Sequence, residues 1–241
     1  MKNYWNKRFE TGEYVWGIEP SKVAINCENY FKAYNVNNIL IMGIGYGRNG
    51  KYFIQKGYNV EGVEYSKNAI TLGKKFCSKI NYIEGSVLDI EINKEYDVVF
   101  CYSILHLFTK NDRIKLIEDC INHCKENGLI IFSCISREDK TFGIGKKIEE
   151  NTYEIREGKI VHFYCEDDIK NLHEKLENFS YNYVNEKIKS YEQKEEDYKM
   201  IYGIYKLKER NTSIALLPAQ TVVNSRNVIR NWFFGEKTKN S

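Results

Sequence analysis

Two apolar runs, YDVVFCYS at 96–103 and LIIFSCIS at 129–136, leave no polar face. A strand written this way is buried on both sides, which occurs in parallel sheets covered above and below by helices. The intervening segments supply those helices. Ser21, after Pro20, caps a helix to Ala33; NILIM at 38–42 reads as a strand and Arg48–Lys56 as a helix. YNVEGVEY at 58–65 is a strand, and Ser66 caps a helix to about Cys77. INYIEG at 80–85 is a further strand. Asn111–Lys125 is an amphipathic helix with Ile114, Ile117, Ile121 and Cys124 on one face, ended by Asn127-Gly128. EDDIKNLHEKLEN at 166–178 reads as a helix with acids in its first turn. FSYNYVNEKIKSY and DYKMIYGIYKLKE then alternate across a short link, so they pair antiparallel. The expected fold class is α/β: a doubly wound, mostly parallel sheet closed by a C-terminal antiparallel hairpin.

Within this frame NNILIMGIGYGRNGKYF at 37–53 concentrates glycine directly after a strand. From Gly43 it reads G-x-G-x-G; from Gly45 it reads G-x-G-x-x-G. Glycines here let the backbone approach a ligand and turn into a helix N-terminus. An acid at the end of the next strand grips ribose hydroxyls, and Glu64 holds that position. A phosphate-cradling P-loop is excluded, because Gly50-Lys51 is followed by Tyr52. A nicotinamide enzyme of this size needs a downstream Tyr-x-x-x-Lys. Tyr52–Lys56 lies on the helix just after the glycines and Tyr202–Lys206 on the last strand, so neither is placed to serve.

Composition narrows the class further. A net charge of +3, with Lys and Glu interspersed, disfavours a nucleic-acid partner. Seven cysteines form no C-x-x-C and sit largely in apolar runs, as reduced thiols of a cytoplasmic protein do. Cys120 and Cys124 share a helix face but His123 points elsewhere, so no metal site is expected. No apolar run is long enough to span a membrane, and the polar, aromatic start lacks the apolar stretch of a secretory signal.

Taken in order, these motifs resemble the class I S-adenosylmethionine-dependent methyltransferases. ILIMGIGYGRNG resembles the family's first motif, VEGVEYSKNAI its second, INYIEGSVLDIEINKEYDVVFCYSILHLF its third and fourth, and HCKENGLIIFSCIS its fifth. The opening is similar to the tellurite-resistance/thiopurine-type small-molecule enzymes, through Trp5, Arg8, Phe9, Gly12, Trp16, Gly17 and Pro20. Their insert after the fifth strand resembles GKKIEENTYEIREGKIVHFYCEDDI. The sequence departs twice: Met42 stands where an acid usually precedes the glycines, and Ser86 replaces an adenine-contacting Asp, with Asp89 three residues on.

The resemblance implies a seven-stranded Rossmann-like methyltransferase domain over 1–208. It comprises an N-terminal lid and helix at 1–36, an insert over the cleft at 137–165, and a basic extension of unknown role at 209–241. It implies S-adenosyl-L-methionine as cofactor and S-adenosyl-L-homocysteine as product. Gly43, Gly45 and Gly47 would pass beneath the methionyl and ribose parts, with Glu64 and its neighbour Tyr65 at the ribose. Ser86 and Val87 would face adenine, and Cys101 and Tyr102 the methionyl side. Arg8 would hold the cofactor carboxylate, and Trp5 and Trp16 would form an aromatic lid. His106 and His162 are candidates to orient or deprotonate the acceptor; the alternative for each is a hydrogen-bonded structural role. Methyl transfer by in-line displacement needs alignment and no nucleophilic side chain. After the fourth strand, CYSI replaces the Asn/Asp-Pro-Pro of amide and adenine N-methyltransferases, which favours a small nucleophile: a thiol, chalcogen oxyanion or amine. The alternatives are a protein or RNA methyltransferase docked by its basic tail, or a non-catalytic S-adenosylmethionine-binding protein.

Overall fold

The computed structural model describes residues 2–10, 14–189 and 195–208. Gly12 and the 209–241 extension lie outside the described residues. In chain order the elements are α1 Lys2–Glu10, α2 Lys22–Ala33, β1 Asn38–Met42, α3 Arg48–Gln55, β2 Asn59–Glu64, α4 Lys67–Phe76, β3 Asn81–Glu84 and β4 Tyr96–Tyr102. A 3-10 turn at Leu105–Leu107 and α5 Lys110–Asn122 lead to β5 Cys124–Ile135. There follow β6 Lys146–Glu149, β7 Thr152–Arg156, β8 Lys159–His162, α6 Glu166–Lys170, β9 Leu176–Lys189 and β10 Glu195–Leu207.

Seven strands form one sheet in the order β3-β2-β1-β4-β5-β10-β9. The first five are mutually parallel; β10 runs antiparallel between β5 and β9. β6, β7 and β8 make a separate three-stranded antiparallel sheet. The apolar strands explain this arrangement residue by residue, because successive side chains face opposite sides. Leu40, Val99, Ile130 and Phe132 face one core, shared with Leu116 and Ile117 of α5 and Ile169 of α6. Ile39, Ile41, Val98, Phe100 and Ile131 face the other, under Val23, Cys27 and Phe31 of α2 and Phe53 of α3. Two buried faces on one sheet are what the continuous apolar runs require.

Ser21 caps α2, its Oγ accepting from Ala24 N at 3.1 Å, and Ser66 caps α4 through Ala69 N at 3.3 Å. Two helices differ from expectation. α5 stops at Asn122, and its buried stripe is Arg113, Leu116, Ile117, Cys120 and Ile121, while Ile114 is 46% exposed. The i, i+3, i+4, i+7, i+8 spacing from Arg113 wins over a face through Ile114 because the guanidinium is satisfied. It donates to Phe108 O at 2.7 Å and to Glu149 Oε2 at 3.2 Å. The helix expected over 166–178 is only Glu166–Lys170. From Leu176 the chain is already paired to β10, starting at Leu207, so the sheet ladder overrides the helical pattern.

Phe53 is fully buried, with ring centroids 5.3 Å from Phe31 and Phe100 and 6.3 Å from Tyr58. Phe53→Ala leaves a cavity among three rings and is expected to cost about 3–5 kcal/mol. Urea unfolding of the full chain checks this: the midpoint falls while the slope stays unchanged.

Candidate functional site

The sheet order reverses between β1 and β4, so their carboxyl ends splay apart and open a crevice. The glycine loop forms its floor. Gly43 has φ 68°, in the left-handed region, and a Cβ there would lie 2.3 Å from Ile104 Cδ1. Gly45, at φ 59°, has a Cβ position that meets only Phe9 Cζ, at 3.9 Å. The loop thus packs against Ile104 at one glycine and turns bare backbone towards the crevice at another.

Strand register delivers Glu64 to this loop. Met42 pairs with Val63, and Ile44 N donates to Val63 O at 3.0 Å. Glu64, next along β2, therefore lies beside the turn. Its Oε2 accepts from Gly45 N and its Oε1 from Ser66 N, both at 2.9 Å, and the Tyr65 amide also donates. The residue is 6% exposed. Burial pushes its pKa up, partly offset by the three backbone donors.

The crevice encloses a cavity of about 340 Å³. Gly43, Gly45, Gly47, Glu64, Tyr65, Ser86 and Val87 line it. Trp5, Phe9 and Trp16 roof it, with the two tryptophan rings 6.0 Å apart. The roof is fastened to the glycine loop and α3. Tyr46 Oη donates to Gly17 O at 2.6 Å and accepts from Trp16 N at 3.0 Å. Arg48 donates to Trp16 O, Glu19 O and Tyr102 Oη at 3.3, 3.2 and 3.2 Å. Asn49 Oδ1 accepts from Ser21 N at 2.8 Å.

His106, Leu107, Phe108, Lys159, Tyr198 and Met200 line the cavity as well. His106 is 2% exposed, its Nδ1 has no hydrogen-bond partner, and burial with Lys159 and His162 nearby lowers its pKa to about 3. Lys159, on β8, is buried and lies with its Nζ 5.9 Å from the Tyr198 ring centre.

Three expected site residues do not line the cavity. Cys101 faces the core with Cys120 and Cys134, because its neighbour Tyr102 takes the other side of β4. Arg8 packs its guanidinium 5.5 Å from the Trp16 ring centre. His162 is held across the β7–β8 pair by Thr152 Oγ1, 2.7 Å from its Nδ1, with its ring edge-on to Tyr164. Burial, with Arg113 nearby, lowers its pKa to about 4. Of the two departures, Met42 is a fully buried core residue, and Ser86 Oγ accepts from Leu88 N at 3.2 Å. Asp89 is paired with Lys115 on the exterior. Sequence reasoning missed Tyr46, Arg48, Asn49 and Lys159. Arg48 did carry a signal: a cation in the first turn of a helix opposes the dipole and so points to another use.

Residues 39–128 match a family model described as a methyltransferase domain. The ubiquinone biosynthesis O-methyltransferase of Rickettsia akari is 29% identical over 156 residues, 61% of this chain and 61% of that protein. The chain thus spans 61% of the length of that curated relative. The solved structure of TehB from Haemophilus influenzae is 15% identical, with a TM-score of 0.58 over 76% of this chain and 62% of that one. The Burkholderia thailandensis 1,6-didemethyltoxoflavin-N1-methyltransferase was solved with its namesake ligand and S-adenosylhomocysteine. It is 13% identical, with a TM-score of 0.63 over 86% of this chain and 87% of that one. These two structures share the fold.

Gly43→Ala is expected to destabilise the protein by about 1–3 kcal/mol, from left-handed strain plus the clash with Ile104. Adding Ile104→Ala relieves only the clash, so a double-mutant cycle in urea gives a non-zero coupling.

The buried histidines also predict a pH dependence. Both folded-state pKa values lie below the ordinary value of about 6.5, so between there and about 3 the unfolded chain binds protons that the folded one does not. Their contribution is complete above about pH 6.5 and is lost as pH falls. Glu64, raised instead, acts in the opposite sense: its contribution is lost as pH rises through its folded value. Denaturant titrations at pH 7.5, 6 and 5 are expected to show falling stability, with a shallower trend in His106→Gln.

Proposed function

We propose that this chain is a class I S-adenosylmethionine-dependent methyltransferase that transfers a methyl group from S-adenosyl-L-methionine to a small-molecule nucleophile. The single observation that carries this reading is Glu64, buried at the end of β2 with its carboxylate on the glycine loop and facing the cavity. Its oxygens offer about four lone-pair directions and three backbone donors use them, so acceptor capacity remains for a ribose hydroxyl. The open side of Gly45 lets a ligand approach the backbone closely. The residues present therefore fit the cofactor, whose sulfonium supplies an activated methyl when bound.

The chain's own groups bind and align. Glu64 and Tyr65 hold the ribose, and Ser86 with the Val87 amide faces the adenine. Trp5 and Trp16 exclude water from above, and Tyr102 borders the methionyl side. Arg48, by holding Trp16 and Tyr102 together, is a positioning residue for that roof. Residues 1–208 form the catalytic unit, with 1–36 as lid, 137–165 as cover and 209–241 appended. A small acceptor is supported by the enclosed cavity and by the relatives, which include an O-methyltransferase and an N1-methyltransferase. A cytoplasmic location is favoured by seven cysteines, most of them buried and none of them in a disulfide. Among the described residues no helix is long and apolar enough to cross a membrane.

Calorimetry with S-adenosyl-L-methionine, S-adenosyl-L-homocysteine and NADH tests the reading. The two sulfur nucleosides are expected to bind and NADH to give no heat; exclusive NADH binding refutes the proposal. Turnover on a panel of thiols, phenols and amines, read as S-adenosyl-L-homocysteine formed, completes it. Glu64→Ala is expected to weaken cofactor binding by roughly 1–3 kcal/mol. Wild-type affinity is expected to fall as pH is lowered through the raised Glu64 pKa, since the protonated carboxyl gives up acceptor capacity.

A further inference from the structure

Asp112, in the first turn of α5, is half-buried and lines the cavity. Its Oδ2 accepts from Thr109 Oγ1, on the N-cap residue of the helix, at 2.9 Å. That bond is the structural use of the side chain, and it occupies one oxygen. Oδ1 accepts from no group among the described residues, and protein atoms do not seal it. It keeps its lone pairs for a donor that enters from outside the protein.

The direction Asp112 faces follows from α5. Residues three apart share a helix face, and Lys115 Nζ, three residues on, donates to Asp89 Oδ1 at 2.7 Å. Asp89 N in turn donates to Ser86 O at 3.0 Å, and Leu88 N to Ser86 Oγ at 3.2 Å. The Asp112–Lys115 face of α5 therefore abuts the turn at 86–89. Arg113, about 100° round the helix, reaches instead to Glu149 of β6. Val87 and Leu88 of that turn, with Ile104 and Phe108 after β4, give the same cavity apolar lining, and all four pack in the core that α5 covers.

An open carboxylate oxygen beside apolar walls has a definite preference. An N–H group on a flat, otherwise apolar ring satisfies it, whereas a carbonyl oxygen at the same point is repelled and leaves it unpaired. Resting on the methyltransferase reading above, which sets the purine against Ser86 and Val87, we propose that Asp112 is the residue that reads the base. Its Oδ1 accepts a hydrogen bond from the exocyclic amine of adenine, and this contact sets the preference for a 6-amino over a 6-oxo purine. The acid of the 86–89 turn itself, Asp89, is held on the exterior by Lys115, so the carboxylate comes from α5. An amine acceptor is the other N–H donor that a cavity carboxylate serves. The shared face with Lys115 favours the purine, because it looks to the turn assigned to the base and away from the β6 contact of Arg113.

Calorimetry on the full chain tests this with S-adenosyl-L-homocysteine and two analogues, one carrying hypoxanthine and one carrying unsubstituted purine in place of adenine. Wild type is expected to bind the adenine form about tenfold more tightly than the unsubstituted form and about a hundredfold more tightly than the hypoxanthine form. In Asp112→Ala the adenine and unsubstituted forms are expected to bind equally. In that variant and in Asp112→Asn, whose amide offers an N–H to the oxo group, the preference over hypoxanthine is expected to shrink about tenfold. Each comparison is a ratio within one protein, so loss of the Thr109 bond, which weakens all three ligands alike, leaves it unmoved. A wild type that binds the adenine and unsubstituted forms alike overturns the proposal, as do variants that keep the wild-type ratios. Loss of all three ligands by both variants also overturns it, since one hydrogen bond does not carry the whole affinity. Failure of the wild type to bind any of the three overturns instead the methyltransferase reading beneath it.

Discussion

A carboxylate taken out of water must be given donors, and Glu64 is given three backbone N–H groups from two separate turns. One turn follows β1 and the other follows β2, so a single side chain ties the ends of two adjacent strands. The requirement runs both ways. The carboxylate stays buried only because the Gly45 amide points at it, and that amide points there only because the loop takes left-handed conformations on either side of Ile44. The same geometry that satisfies the charge lays bare backbone along the cavity floor. The loop's shape and the binding site are therefore one structural fact.

The roof over that floor is equally part of the fold. Phe9 of α1 packs with Val15, Tyr46, Ala69 and Leu72, so the N-terminal segment shares a small core with the glycine loop and α4. Tyr46 and Arg48 then bond to the backbone of residues 16–19, and Asn49 to the N-cap residue of α2. An arginine in the first turn of α3 works against the helix dipole, a cost that its three acceptors offset. The roof is thus fastened to the helix that begins at the loop.

Much of this was legible in the chain. The double-sided apolar strands dictated a covered parallel sheet, and the alternating pair at the end dictated its antiparallel closure. Gly43, Gly45, Gly47 and Glu64 were placed by the order of strand, glycines, helix and next strand alone. What escaped depends on contacts between distant segments. The facing of Cys101 turns on which of two adjacent β4 positions meets α5, and a run apolar at both positions carries no such information. The shortness of α6 was hidden because a pairing with Leu207 outcompetes a helical pattern that is locally adequate. Lys159 reads as one of many surface lysines until β8 folds onto the 3-10 turn.

That last placement shapes the chemistry of the cavity as a whole. Glu64, beside the glycine loop, and Lys159, beside His106, carry opposite formal charges and both line it. Water would screen such an arrangement to little effect, but both residues are buried, and interactions between charges strengthen as solvent is excluded. Burial holds His106 neutral, and the nearby positive charge of Lys159 acts in the same direction.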